Sequence, residues 1–292
     1  MFDLTQIRPD QPVLIAGPTA SGKSSLALEI AQNQGGMIVN ADALQVFSNW
    51  RVLTARPPAE EEALAPHRLY GHVSGDALYS VGEWLRDVSS LLQNETQRPI
   101  IVGGTGLYFR ALTEGLVEIP AISPQWRIKS ESILENTGIA GLLSELDEKT
   151  RSRIDIQNPK RVQRAWEVLK ETNQGIADWQ DATPAPLLAL QNCFPIVLDT
   201  KKPWLNERID RRFDMMISGG ALEEAKANLP NWNPILPSAK AIGAAELIAY
   251  LQGDMELGAA IEAAKTGTHQ YAKRQRTWFR KRMKDWHHFD PA

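Results

Sequence analysis

The sequence predicts an α/β fold, a mostly parallel sheet flanked by helices and interrupted by a small all-helical insertion. Three observations carry that expectation. Gly17-Pro18-Thr19-Ala20-Ser21-Gly22-Lys23-Ser24 matches G-x-x-x-x-G-K-[ST] in full, the phosphate-binding loop of P-loop NTPase-like sheets. Short apolar runs then alternate with helical stretches, the pattern of strands joined by helical crossovers. Between residues 119 and 190 the apolar runs stop and only helical patterns remain. The expected division is a core from residues 1–118 and 191–292, with a helical domain at 119–190.

Val13-Leu14-Ile15-Ala16 reads as a buried strand leading into the loop. Glycines let the backbone curl so that successive N–H groups face one anion. A helix follows, with Leu26/Ile30 and Ala27/Ala31 on one face, and its start adds partial positive charge at the same point. Lys23 is placed to reach outer phosphate oxygens and the Ser24 hydroxyl to ligate Mg²⁺. Met37-Ile38-Val39 is the second strand and ends in Asn40-Ala41-Asp42. Asp42 therefore stands at a strand's carboxyl end, where open α/β sheets bind ligands. It is a candidate general base or orienter of a nucleophile, against the plainer role of a turn residue.

Val81 to Leu92 is an amphipathic helix with Trp84, Leu85 and Val88 on its apolar face. Pro99 to Val102 is a third strand, followed by Gly103-Gly104-Thr105-Gly106. That turn is either merely tight or a close backbone approach to a ligand, with the Thr105 hydroxyl on offer. Ser123-Pro124 and Asn158-Pro159 are helix starts, and the second helix is expected to run to Gly175. Phe194 to Leu198 resumes the strands and ends in a second carboxylate, Asp199. The remainder is helical: Leu205–Ser218, Ala239–Leu251, and Leu257–Lys284, with a possible break near Gly267. Arg208 and Arg212 lie one turn apart on the first of these, fit to clamp a diphosphate or to pair with acids such as Glu207.

The formal net charge of −3 means that any nucleic-acid contact rests on local patches. Two stand out. Lys149 to Lys170 holds seven basic residues against two acidic ones, and Ala263 to Lys284 holds eight and no acid, with Tyr271, Trp278 and Phe279 interleaved. Each reads as a solvated helix face or as phosphate-backbone contacts beside stacking surfaces. Cys193 is the only cysteine and the five histidines lack zinc-ligand spacing, which excludes a disulfide framework and a cysteine-based zinc site. The polar N-terminus has no signal-peptide core and no apolar stretch is long enough to span a membrane, so a cytoplasmic protein is expected. Nothing demands more than a monomer. These readings leave open a Mg²⁺-dependent phosphoryl-transfer enzyme, an RNA-directed one, and a non-catalytic RNA-binding module.

Further segments narrow the choice. Beside the phosphate loop stand Asn40-Ala41-Asp42-Ala43-Leu44-Gln45-Val46-Phe47, Thr54-Ala55-Arg56-Pro57, Pro66-His67-Arg68-Leu69 and Gly103-Gly104-Thr105-Gly106-Leu107-Tyr108. Asn158-Pro159-Lys160-Arg161-Val162-Gln163-Arg164-Ala165 and Tyr271-Ala272-Lys273-Arg274-Gln275 follow. In this order, over residues 12–286, the chain resembles the tRNA dimethylallyltransferases (isopentenyl-tRNA transferases). The resemblance implies that Gly17 to Ser24 hold the diphosphate of dimethylallyl diphosphate, and that the acceptor is N6 of adenosine 37 beside the anticodon of a tRNA. It implies Asp42 as base, Thr105 as a hydroxyl at diphosphate and nucleophile, and Arg208 and Arg212 as the helix's paired arginines. Asp42, Ala43, Leu44 and Gln45 match the segment that reads the flipped base. Arg127, Lys160, Arg161, Val162, Gln163 and Arg164 match tRNA contacts on the insertion, with Lys273 and Arg274 as tRNA contacts beyond it. Departures are Ala43 for Ser, Phe47 for Tyr, Leu53 for Gly, Arg56 for Lys, Gly71 for Asp, Ala244 and Ala245 for Tyr and a basic residue, and His269 for Arg. The eukaryotic members' C-terminal zinc finger has no counterpart, which suggests a bacterial protein.

Overall fold

Six short segments with extended backbone line up side by side in the computed structural model, which describes residues 2–292. They are β1 (Val13–Ala16), β2 (Met37–Asn40), β3 (His67–Arg68), β4 (Pro99–Gly103), β5 (Phe194–Leu198) and β6 (His287–Phe289). Every pairing is parallel, in the order β3-β2-β4-β1-β5-β6. The edge strands β3 and β6 are two and three residues long, too short to leave an alternation in the sequence.

All of β1, β2, β4 and β5 is buried. A parallel sheet covered on both faces uses near-continuous apolar strands, which is what these are. Successive side chains still serve opposite faces. Val13, Ile15, Ile38 and Ile100 pack with Leu26 and Ile30 of α1 (Lys23–Gln34), and a single turn, α2 (Ala59–Glu62), precedes β3. Leu14, Val39 and Ile101 pack with Trp84 and Val88 of α3 (Val81–Asn94) and Phe109 of α4 (Gly106–Glu114). A capping box fixes the start of α3: Glu83 N–H donates to Ser80 Oγ, and Ser80 N–H to the Glu83 carboxylate. The helix then delivers Trp84, fully buried, whose indole N–H donates to Asn40 O at 2.8 Å.

The chain forms two compact units, Met1–Thr113 with Leu187–Ala292, and Glu114–Pro186. The second contains α5 (Pro124–Leu143), α6 (Glu148–Arg153), α7 (Pro159–Thr172) and α8 (Ile176–Asp181) around Leu142, Leu146, Val162, Ala165 and Trp166. Helix α7 stops at Asn173, left-handed at φ 56°, two residues before the expected Gly175. After β5 the first unit runs through α9 (Lys202–Met216), α10 (Leu222–Asn228), α11 (Ala244–Gln252) and α12 (Leu257–Arg282), the last continuous through Gly267, to β6. Among the described residues no helix is long and apolar enough to cross a membrane.

Candidate active site

Three loops leave the carboxyl ends of adjacent strands β1, β4 and β2, and backbone bonds tie them together. Gly17 N–H donates to Gly103 O at 3.3 Å and Thr105 N–H to Ala41 O at 3.2 Å. Gly103 is required by this approach, since a Cβ there would stand 2.0 Å from Ala41 O. The Thr105 hydroxyl accepts from Ala43 N–H at 2.9 Å and the Asp42 carboxylate from Leu44 N–H at 3.0 Å. Asn40 holds this turn from below: Oδ1 accepts from Asp42 N–H, and Nδ2 donates to Asp42 O and Leu69 O. No spacing in the sequence singles out Asn40 as part of the site. Its one signal was a polar residue closing an apolar strand, and it is fully buried.

The phosphate loop turns on Ala20 and Gly22, both with positive φ, and α1 starts without a side-chain cap. Its first N–H groups are thus left for an anion. Lys23 lies buried beneath them, its ammonium 3.5 Å from Pro18 O. Burial pushes its pKa down to about 8, with the Asp42 charge opposing the shift and Arg212 adding to it. On α9, Arg208 donates from Nε to Ala20 O at 2.9 Å and stacks 4.6 Å over the Trp204 ring. Glu207 pairs with Arg211, not with Arg208 or Arg212.

Two cavities meet at Lys23 and Arg212. The larger, about 520 Å³, is walled by the loop, Ser24, Arg56 and the three α9 arginines. The smaller, about 60 Å³, has Asp42, Thr19 and Tyr271 on its polar side and Leu44, Leu53, Ile209, Phe213, Met216 and Ile242 on its apolar side. Burial, then the Asp42 charge, holds the Tyr271 phenol well above its usual range. Among the described residues no cluster of three His, Cys, Asp or Glu side chains could hold a metal. The Ser24 hydroxyl is exposed at this cavity, whose charged lining is cationic apart from Glu61, so Mg²⁺ fits there together with substrate phosphates, through which it largely binds while keeping several waters. Asp199 lines neither cavity and instead faces Arg280 and His288, each at 3.9 Å.

In the helical unit Arg127, Lys160, Arg161 and Arg164 are exposed. Val162 and Gln163 are not available to an RNA. Val162 is fully buried, and Gln163, 6% exposed, donates to Ser130 Oγ, which in turn donates to Glu167. The expectation of tRNA contact at these two is corrected on that ground. The spacing of Val162, Ala165, Trp166 and Leu169 is the helical stripe that marks the inward face. Several cations of this tract are paired locally: Lys149 with Asp178 and Asp181, Arg153 with Asp181, Lys170 with Glu145. On α12, Lys273 and Arg274 are exposed.

Most of the departures from the family pattern have local explanations. The Arg56 guanidinium fills the space a side chain at Gly71 would take, with a Cβ there only 2.1 Å from Arg56 Cζ. Leu53 and Ala244 share one buried cluster, the larger residue where the pattern has the smaller and the reverse. Phe47 is 2% exposed, so its ring needs no hydroxyl there. His269 meets Asp210 at 2.7 Å and Asn206 at 3.1 Å across α9. The structure offers no account of Ala43 or Ala245.

Comparison with known proteins agrees with this geometry. The family model described as IPP transferase matches residues 45–282, and that described as isopentenyl transferase matches residues 11–73. A tRNA dimethylallyltransferase of Cereibacter sphaeroides is 58% identical over 280 residues, 96% of each chain. One of Ruegeria sp. is 57% identical over 291 residues, 100% of this chain and 99% of that one. Among solved structures, the tRNA isopentenylpyrophosphate transferase of Bacillus halodurans superposes with a TM-score of 0.68 at 31% identity, covering 96% of this chain and 90% of that one. A eukaryotic dimethylallyltransferase acting on tRNA superposes with a TM-score of 0.80 at 26% identity, covering 96% and 73%. A phosphate loop on a parallel sheet, a strand-end aspartate beside it, and relatives alike over nearly their whole length lead to one conclusion: the chain belongs to the IPP transferase family.

Proposed function

We propose that the chain transfers a dimethylallyl group from dimethylallyl diphosphate to N6 of adenosine 37 in tRNA, releasing diphosphate. One observation carries this reading at the site: the cationic cavity opens beside a cleft with one apolar wall, and Asp42 lines that cleft together with Lys23 and Arg212. A diphosphate with a short hydrocarbon tail needs both surfaces. The triphosphate of a phosphoryl donor brings no hydrocarbon tail to the second.

The chemistry follows from the residues. Loop N–H groups, Lys23, Arg208 and Arg212 hold the diphosphate and take up the charge that grows on it as it leaves. Ser24 would hold Mg²⁺ beside the bound diphosphate, and the ion would supply further positive charge for the leaving group. The apolar wall of Leu53, Phe213 and Ile242 receives the five-carbon tail. The adenine leaves the anticodon stack to enter the site. Its N6 forms a bond to the allylic carbon, the carbon–oxygen bond to diphosphate breaks, and the N6 proton passes to Asp42, the base. Thr105, tied to Ala43 N–H, fixes the segment Asp42 to Gln45 that faces the base. Arg127, Lys160, Arg161, Arg164, Lys273 and Arg274 supply contacts to the RNA backbone, while Val162 and Gln163 are buried within the helical unit.

Incubation with radiolabelled dimethylallyl diphosphate, Mg²⁺ and an anticodon stem-loop tests the reading. Label is expected in the RNA, with ATP left unchanged when it replaces the donor. Label absent from the RNA with ATP consumed would support a kinase instead. Absence of any turnover, with RNA still bound, would leave a binding module.

A further inference from the structure

Gln275 lies on α12, far in sequence from both substrate loops, yet it touches each of them. It is 5% exposed. Its Oε1 accepts from Thr19 N–H of the phosphate loop at 2.9 Å, and its Nε2 donates to Gly104 O of the Gly103–Gly106 turn at 3.0 Å. One partner is an obligatory donor and the other an obligatory acceptor. A neutral amide satisfies both, whereas a carboxylate only accepts and an ammonium only donates. Asparagine has the chemistry but is one methylene short. Gly104 makes room for the bridge, since a Cβ there would stand 2.2 Å from Gln275 Nε2. The two loops cannot slide past each other while both bonds hold, so the spacing between them is fixed from a third element.

We propose that Gln275 is a positioning residue that sets the distance between the loop holding the diphosphate donor and the loop carrying Thr105 beside the acceptor base. The proposal rests on the assignment of those two loops made above. Gln275 touches neither substrate. It acts by holding Thr19 and Gly104, and through them the leaving group and the nucleophile, at reacting distance.

Two substitutions separate this role from a purely structural one. Gln275→Met keeps the length and removes both bonds. Gln275→Glu keeps the acceptor for Thr19 and, when ionised, sets a carboxylate against Gly104 O. Once protonated, the same carboxylic acid both donates and accepts, as the amide does. A buried carboxyl beside a carbonyl and Asp42 titrates above its ordinary value of about 4.3, so this rescue falls within the assayable range. The assay is steady-state transfer to an anticodon stem-loop, with melting temperature and RNA affinity measured alongside. We expect kcat/KM for Gln275→Met to fall about 10–100-fold with RNA affinity within twofold of wild type. We expect the ratio of kcat/KM for Gln275→Glu to that of wild type to rise as pH is lowered from 8 to 5. Wild-type kcat and KM in Gln275→Met, or a ratio for Gln275→Glu that is flat with pH, would overturn the proposal. Failure of the wild-type chain to transfer label at all would count against the assigned reaction and not against this bridge.

Discussion

Lys23 and Asp42 show how much of this site is decided by single side chains. Lys23 is held near pKa 8 against an ordinary 10.5. Between those values the unfolded chain keeps the proton that the folded one has lost, so the stability of the ligand-free protein rises with pH across that window. Diphosphate binding has the opposite sign, because an anion favours the charged ammonium and binding above pH 8 takes up a proton. The dissociation constant for inorganic diphosphate, measured by calorimetry and corrected for the anion's own titration, is expected to rise above pH 8, up to about tenfold per unit. No rise, or tighter binding at high pH, would show that Lys23 does not meet the anion. For Asp42, removal of the carboxylate takes away the proton acceptor but not the phosphate loop or the exposed basic residues. Asp42→Ala is expected to slow transfer about 10²–10⁴-fold while RNA affinity stays within a fewfold. A loss of affinity equal to the loss of rate would make Asp42 a binding residue.

At the scale of elements, the wall of the apolar cleft depends on a contact that no periodicity announces. Glu224 on α10 accepts the backbone N–H groups of Arg51, Val52 and Leu53 at 2.5, 2.9 and 2.9 Å. Leu53 lines the cleft, so α10 shapes the donor site without touching it. Glu224→Ala is expected to destabilise the protein by about 2–4 kcal/mol, since bonds to a charged group are among the stronger ones. It should also raise KM for dimethylallyl diphosphate more than KM for RNA, a split that steady-state kinetics reads directly. An unchanged donor KM would detach α10 from the cleft. The contrast with the phosphate loop is instructive. That loop was legible because eight consecutive residues specify its geometry locally. β1, β2, β4 and β5 were legible as apolar runs because both faces of the sheet are covered. Glu224, Gln275 and Asn40 act through partners brought near only by the fold, and β3 and β6 are too short to carry a pattern. Val162 and Gln163 match a motif of contacts, whereas the fold buries both, Val162 on the apolar stripe of α7 and Gln163 against Ser130.

For the whole molecule, a chain of net charge −3 must bring exposed cations to bear locally if it is to hold RNA. Arg127, Lys160, Arg161, Arg164, Lys273 and Arg274 remain as candidates once the buried members of the motif are removed. RNA affinity should therefore fall with salt at a log–log slope of about −0.7 per neutralised phosphate of single strand. Replacing Lys160 or Arg164 by Ala should each reduce the slope by somewhat less than one unit, and an unchanged slope would remove that residue from the interface. All of these expectations presuppose that the phosphate loop grips an isoprenoid leaving group. The most direct test is the mass of the nucleoside at position 37 after purified protein, Mg²⁺, dimethylallyl diphosphate and unmodified tRNA are combined. The account predicts adenosine 37 carrying one dimethylallyl group on N6. Unmodified adenosine at that position, with the donor intact, would contradict it.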